Sequence, residues 1–103
     1  MNRQLTMLIV DDMEVERISF AEIFKDEYQI LEAENGKQAM EQLEQQKVHI
    51  VLLDLCMPVM DGFEVIREMK QQDKYADIPI VAKTAIDEKT EVKALEAGAD
   101  EYI

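Results

Sequence analysis

The chain has 103 residues, with 23 Asp and Glu against 11 Lys and Arg and a formal charge of −12, which is enough chain for one hydrophobic core and too little for two. The acidity, a pI near 4.3, the lack of any basic run and an aromatic set of three Tyr, three Phe and no Trp argue against direct nucleic-acid binding, which needs phosphate-neutralising charge and stacking surface. One Cys (Cys56) and one His (His49) cannot form an internal disulfide or a Cys/His zinc site, and no continuous apolar run exceeds four residues, too short for a membrane span or a signal-peptide core. The expectation is a reduced, cytoplasmic protein with no membrane partner.

Leu5 to Val10 is an apolar, partly β-branched run ending at Asp11-Asp12, which predicts a strand and an acidic turn. Glu14 to Lys25 carries Val15, Ile18, Ala21, Ile23 and Phe24 at broadly helical spacing. Tyr28 to Ala33 reads as a second strand, Asn35-Gly36 as a turn, and Lys37 to Gln46 as a helix with an Ala39, Met40 and Leu43 stripe. Val48 to Leu53 is nearly all apolar, the pattern of a strand buried on both faces in a parallel sheet. Phe63 to Gln72 predicts a third helix through Phe63, Ile66 and Met69, and Ile78 to Lys83 a fourth strand ending at Thr84-Ala85. A fourth helix is predicted from Glu88 to Glu96 with Val92 and Leu95 inward and Gly98 as a left-handed C-terminal cap, and Asp100 to Ile103 begins a fifth strand. The alternation of strand and helix predicts an α/β fold with a doubly wound parallel sheet and right-handed crossovers.

In such a sheet, ligands bind beyond the carboxyl ends of the strands, where the strand order reverses. Asp11 and Asp12 follow the first strand, Asp54 the third and Thr84 the fourth, so all four belong to one edge. Three carboxylates in one pocket repel each other unless a cation sits among them. A hard divalent ion such as Mg²⁺ suits carboxylate and carbonyl oxygens and shares them with phosphate. Three acids, a hydroxyl and no basic residue in the turns therefore point to metal-assisted phosphoryl chemistry with one Asp as nucleophile. Taken singly, each Asp is equally well read as a solvated turn residue or helix cap.

The ordered set Leu8-Ile9-Val10-Asp11-Asp12, Ala33-Glu34-Asn35-Gly36, Asp54 with Met57-Pro58 and Met60-Asp61-Gly62, Pro79-Ile80-Val81 leading to Thr84-Ala85, and Gly98-Ala99-Asp100 before Tyr102 resembles the receiver domain of bacterial two-component response regulators over essentially the whole chain. The resemblance implies the flavodoxin-like receiver fold, strand order 2-1-3-4-5. It implies that Asp54 accepts a phosphoryl group from the histidine of a kinase or phosphotransfer protein. Asp11 and Asp12 would bind Mg²⁺ together with the Asp54 carboxylate and the backbone carbonyl of Cys56. Thr84 would donate its hydroxyl to the phosphoryl group, Ala85 would leave space for it, and Tyr102 would turn inward when Thr84 moves. The output would be an effector domain or downstream protein that reads a surface made by the fourth and fifth strands and fourth helix. The protein would assist its own phosphorylation and dephosphorylation without being a turnover enzyme.

Other residues have plainer readings. Asp61 caps the third helix, Pro58 is a rigid turn element, Cys56 and the methionines fill space, and His49 is a structural or surface residue, at the sheet edge opposite the acids. Lys83 departs from the resemblance, since the family usually has an apolar residue before the Thr84 position. Strand parity turns it away from Ala82 and Thr84, so a snorkelling lysine or an altered partner contact is expected. Family receivers also carry a lysine, a proline and a fifth helix shortly after the Tyr102 position, whereas residues 1–103 stop one residue after it. The expectation is one receiver domain truncated at its C-terminus, a fragment of a longer regulator with the fifth helix missing. That would leave apolar surface around Phe20, Ile23 and Phe24 suited to association, a homodimer included. Two other functions compete. One is a phosphorylation-independent receiver-like interaction module, and the other is an Asp-nucleophile phosphohydrolase, disfavoured because Cys56 stands where a second catalytic Asp belongs.

Overall fold

A computed structural model describes residues 4–55, 57, 60–83 and 88–103, the side chains of 88–91 excepted. Its elements in chain order are β1 (Leu5–Val10), α1 (Glu14–Phe24), β2 (Tyr28–Ala33), α2 (Gly36–Gln45), β3 (Ile50–Asp54), α3 (Gly62–Gln71), β4 (Ile80–Lys83), α4 (Glu88–Ala97) and β5 (Glu101–Tyr102). The five strands form one parallel sheet in the order β2-β1-β3-β4-β5. The chain steps outward from β1 to β2, then returns past β1 to β3 and continues the other way. The order therefore reverses between β1 and β3, and their carboxyl ends flank the crevice where this architecture binds ligands.

Side chains alternate between the two faces of each strand, and two cores follow. Leu8, Val10, Val51, Leu53, Ile80 and Ala82 point to one face, where they meet Ala39 and Leu43 of α2, Val65, Ile66 and Met69 of α3, and Ala94 of α4. Each large apolar side chain fully buried there contributes roughly 1.5–3 kcal/mol relative to exposure. Met7, Ile9 and Leu52 point to the other face and are covered by Phe20, Ala21 and Phe24 of α1. This second layer is thin: α1 has no buried residue, and its Val15, Ile18 and Ile23 face outward. Of the three residues expected to form an uncovered apolar surface, Phe20 and Phe24 pack on the sheet and only Ile23 is exposed.

Local signals set the boundaries. Asn35 caps α2 by accepting from the Gln38 N–H at 2.8 Å, and Asp61 caps α3 by accepting from Glu64 at 3.0 Å, as expected for Asp61. β4 begins at Ile80 rather than Ile78, because Ile78 donates its N–H to Tyr75 in the preceding turn and Pro79 has none to give. β3 likewise begins at Ile50, after His49. The His49 backbone N–H donates to Thr6 O at 2.9 Å and its Nδ1 accepts from Thr6 N at 3.0 Å, which is a structural role. α4 ends in a paired cap, with Gly98 N–H donating to Leu95 O and Ala99 N–H to Ala94 O. Gly98 sits at φ +123°, a conformation that glycine tolerates and other residues rarely adopt.

The orientation of α4 corrects the sequence reading. Val92 and Leu95 are 51% and 44% exposed, while Ala94 is fully buried and Ala97 packs beside it. Small residues three apart let the helix backbone lie close to the sheet, and the larger apolar side chains are left on the outer side.

Candidate functional site

β1 and β3 deliver the acids. Asp11 follows β1 directly and extends its ladder by donating its N–H to Ala33 O at 3.1 Å. Its side chain is only 2% exposed. Asp12, the next residue, is exposed, and Asp54 at the end of β3 is half-buried. Carboxylate oxygens of Asp11, Asp12 and Asp54 lie within 4.8 Å of one another. The end of β3 is held by α3: Gly62 N–H donates to Leu55 O at 3.2 Å, and a β-carbon on Gly62 would stand 2.6 Å from Asp54 O.

Asp11 is tied down on every side. Its Oδ1 accepts from Met13 N–H at 2.9 Å, and its backbone carbonyl accepts from Arg17 at 2.8 Å. Arg17 also pairs with Glu32 at 3.2 Å, so β2 and α1 both help hold this turn. The remaining oxygen, Oδ2, accepts from Lys83 Nζ at 2.7 Å. The same ammonium lies 3.1 Å from Glu16 Oε2 of α1 and 5.3 Å from the centre of the Phe20 ring. Burial works against the Lys83 charge, yet hydrogen bonds to Asp11 and Glu16, together with their charges, raise its pKa above the usual lysine value. Asp11, Glu16, Phe20, Asp54 and Lys83 line a cavity of about 460 Å³.

Lys83 is the residue that sequence reasoning misplaced. Its parity was read correctly: it shares the α1 face of the sheet with Val81, opposite Ala82. However, its ammonium does not snorkel out to solvent. It enters the acid cluster, which therefore contains a basic residue drawn from a strand rather than a turn. The signal lay in the register, since Lys83 pairs with Asp54 across β3 and β4. Glu16 and Arg17 also went unnoticed, because on a helix with no buried residues they look like ordinary surface charges. Thr84, Ala85, Pro58 and the Cys56 carbonyl lie outside the described residues. Tyr102 pairs with Ala82 and packs half-buried against the larger core.

The model of the response regulator receiver domain matches residues 7–103. The chain belongs to that family. This receiver domain is 40% identical over 98 residues to the chemotaxis protein CheY of Halobacterium salinarum, covering 94% of this chain and 81% of that one. It is 39% identical over 100 residues to the phosphate regulon transcriptional regulatory protein PhoB of Pseudomonas aeruginosa, but spans only 44% of it. It is 38% identical over 99 residues to histidine kinase P4 of Formosa agariphila, and spans 7% of it. Among solved structures, the signal receiver domain of a signal transduction histidine kinase from Syntrophus aciditrophicus superposes with a TM-score of 0.86 at 31% identity, over 95% of this chain and 76% of that one. Vibrio cholerae CheY4 superposes at 0.90 with 24% identity, over 98% and 86%, which bears on the fold alone. The receiver fold and its 2-1-3-4-5 strand order are as expected from the sequence. Among the described residues, no helix is long and apolar enough to cross a membrane.

Proposed function

We propose that this receiver domain takes a phosphoryl group onto Asp54 from a phosphohistidine of a kinase or phosphotransfer protein, in a Mg²⁺-dependent reaction. The observation that carries the reading is the convergence of Asp11, Asp12 and Asp54 within 4.8 Å at the point where the strand order reverses. An all-oxygen, carboxylate-rich donor set suits a hard divalent ion far better than a soft one, so Asp11, Asp12 and Asp54, with the Cys56 carbonyl, are the residues that would hold it. Bound there, the ion supplies neutralisation of charge on the phosphoryl oxygens.

In the transfer, an Asp54 carboxylate oxygen forms a bond to phosphorus as the phosphorus–nitrogen bond of the donor breaks, and the imidazole leaves with the electron pair and takes up a proton. Positioning supplies much of the rate. Asp54 is held by the β3 ladder and by the close approach of α3, and Asp11 by the Met13 amide and Arg17. Thr84 is the proposed hydroxyl donor to the phosphoryl group, Ala85 leaves it room, and Tyr102 responds by changing the surface of β4, β5 and α4. Phosphorylation then shifts an equilibrium between two conformations, and a downstream protein or effector domain reads the difference.

Intact mass after incubation with a small acyl phosphate and Mg²⁺ tests this. One added phosphoryl group is expected, lost in Asp54→Asn and without Mg²⁺. Addition that survives Asp54→Asn overturns the assignment. The Lys83 to Asp11 ion pair favours a second reading, an interaction module that works without phosphate. It takes over if Mg²⁺ does not bind and partner affinity is unchanged in Asp54→Asn.

A further inference from the structure

Both side-chain oxygens of Asp11 are engaged, Oδ1 by the Met13 amide and Oδ2 by the Lys83 ammonium at 2.7 Å. A divalent cation that reaches Asp11 meets a resident positive charge on the oxygen facing the cavity. If the two shared that oxygen, they would lie roughly 4 Å apart, where like charges of +1 and +2 repel strongly in a partly buried site. Lys83 has somewhere else to go. Glu16 Oε2 already lies 3.1 Å from its ammonium and is far more exposed than Asp11, and the Phe20 ring sits beneath the ammonium on the same side. A small rotation of a flexible four-carbon chain would trade Asp11 for Glu16 and keep the charge paired.

We propose that Lys83 is a tethered counter-ion of the acidic cluster, which competes with the divalent cation for Asp11 and shifts onto Glu16 when the cation binds. This rests on the reading of Asp11, Asp12 and Asp54 as Mg²⁺ ligands. Its consequence is that the negative charge of the metal-free site is partly offset from within and that Mg²⁺ binds less tightly than it would to the acids alone.

The test is Mg²⁺ titration by calorimetry of the parent chain, Lys83→Met, Lys83→Arg and Asp54→Asn. Lys83→Met removes the competitor and should bind Mg²⁺ about tenfold more tightly. Lys83→Arg keeps the charge and should stay near the parent. A thermal melt gives a second readout: a fixed Mg²⁺ concentration should raise the melting temperature more in Lys83→Met than in Lys83→Arg. A generic packing role for Lys83 would lower stability without tightening the metal.

Should Lys83→Met fail to fold, the parent chain still decides. With carbon-13 in lysine ε positions, the Lys83 ε-methylene signal should move in step with Mg²⁺ saturation. Equal or weaker affinity in Lys83→Met, or an unmoved Lys83 signal at saturation, overturns the inference. The two failures are separable. If the parent binds Mg²⁺ and Asp54→Asn weakens it while Lys83→Met changes nothing, only the Lys83 inference falls. If neither the parent nor any variant binds Mg²⁺, the metal reading falls with it.

Discussion

Gly62→Ala should couple a loss of stability to a loss of phosphorylation. The new β-carbon would stand 2.6 Å from Asp54 O and 2.6 Å from Leu55 Cα, and 2.9 Å from Leu55 Cδ2. Ordinary contact begins at 3.4 Å, so either α3 or the end of β3 must retreat by 0.8 Å, the difference between those distances. The two nearest of these atoms are backbone and cannot rotate aside. Overpacking of this kind costs about 1–3 kcal/mol, and the better helix propensity of Ala returns at most about 1. A net loss of about 1–2 kcal/mol corresponds to a melting-temperature drop of roughly 5–15 °C for a domain of this size. The displaced backbone is also the one that carries Asp54. Misplacement of a reacting group by about 1 Å can cost on the order of 100-fold in rate, so phosphorylation by an acyl phosphate should slow by about 10- to 100-fold in protein that is still folded. Circular dichroism melts and timed intact-mass measurements check both. A variant that melts within about 2 °C of the parent and is phosphorylated at the parent rate would refute the claim that Gly62 sets the position of Asp54.

The orientation of α4 gives an opposed pair: Ala94→Leu, at a fully buried position, should destabilise by about 1–3 kcal/mol, whereas Leu95→Ala, 44% exposed, should stay within about 0.5 kcal/mol of the parent; urea unfolding midpoints compare them, and the reverse order would restore the inward Leu95 expected from the sequence. The raised pKa of Lys83 predicts a pH dependence in Mg²⁺-free buffer. The folded chain holds this proton more tightly than the unfolded chain, so the stabilisation from the Lys83 pairing is fully present below the ordinary lysine value of 10.5 and is lost as pH rises through the higher folded value. The stability difference between the parent and Lys83→Met should therefore be flat through neutral pH and shrink in the alkaline range, as read from unfolding curves; a difference that shrinks on acidification instead, while the carboxylates stay ionised, would contradict it.

What could be read from residues alone divides by the kind of information each feature needs. The doubly wound sheet was legible because Val48 to Leu53 is apolar apart from His49, the pattern of a strand buried on both faces. The acid cluster was legible because topology brings Asp11, Asp12 and Asp54 together whatever their neighbours do. The facing of α4 was not. Val92, Ala94, Leu95 and Ala97 place apolar atoms on both sides of a ten-residue helix, and the choice between sides depends on how close the helix lies to β4 and β5, a distance that periodicity does not encode.

Lys83 shows the same limit in sharper form. Parity correctly assigned it to the α1 face, but parity says nothing about how far a side chain reaches along that face. β3 separates β4 from β1, so the Lys83 ammonium must cross one intervening strand, a gap of about 5 Å from each strand to the next. It can do so because the Lys83 position is in register with Asp54, at the end of β3. Beyond that point lies the turn after β1, whose buried carboxylate the ammonium meets at 2.7 Å. The chain's overall charge of −12 thus has little to do with the site, where among the described residues sheet order brings together Asp11, Asp12, Asp54 and Lys83, and α1 adds Glu16. A lysine that appeared in sequence as a departure from the family pattern stands, in the fold, 2.7 Å from the buried carboxylate of the acidic cluster, and the competition with a cation proposed above follows from that contact.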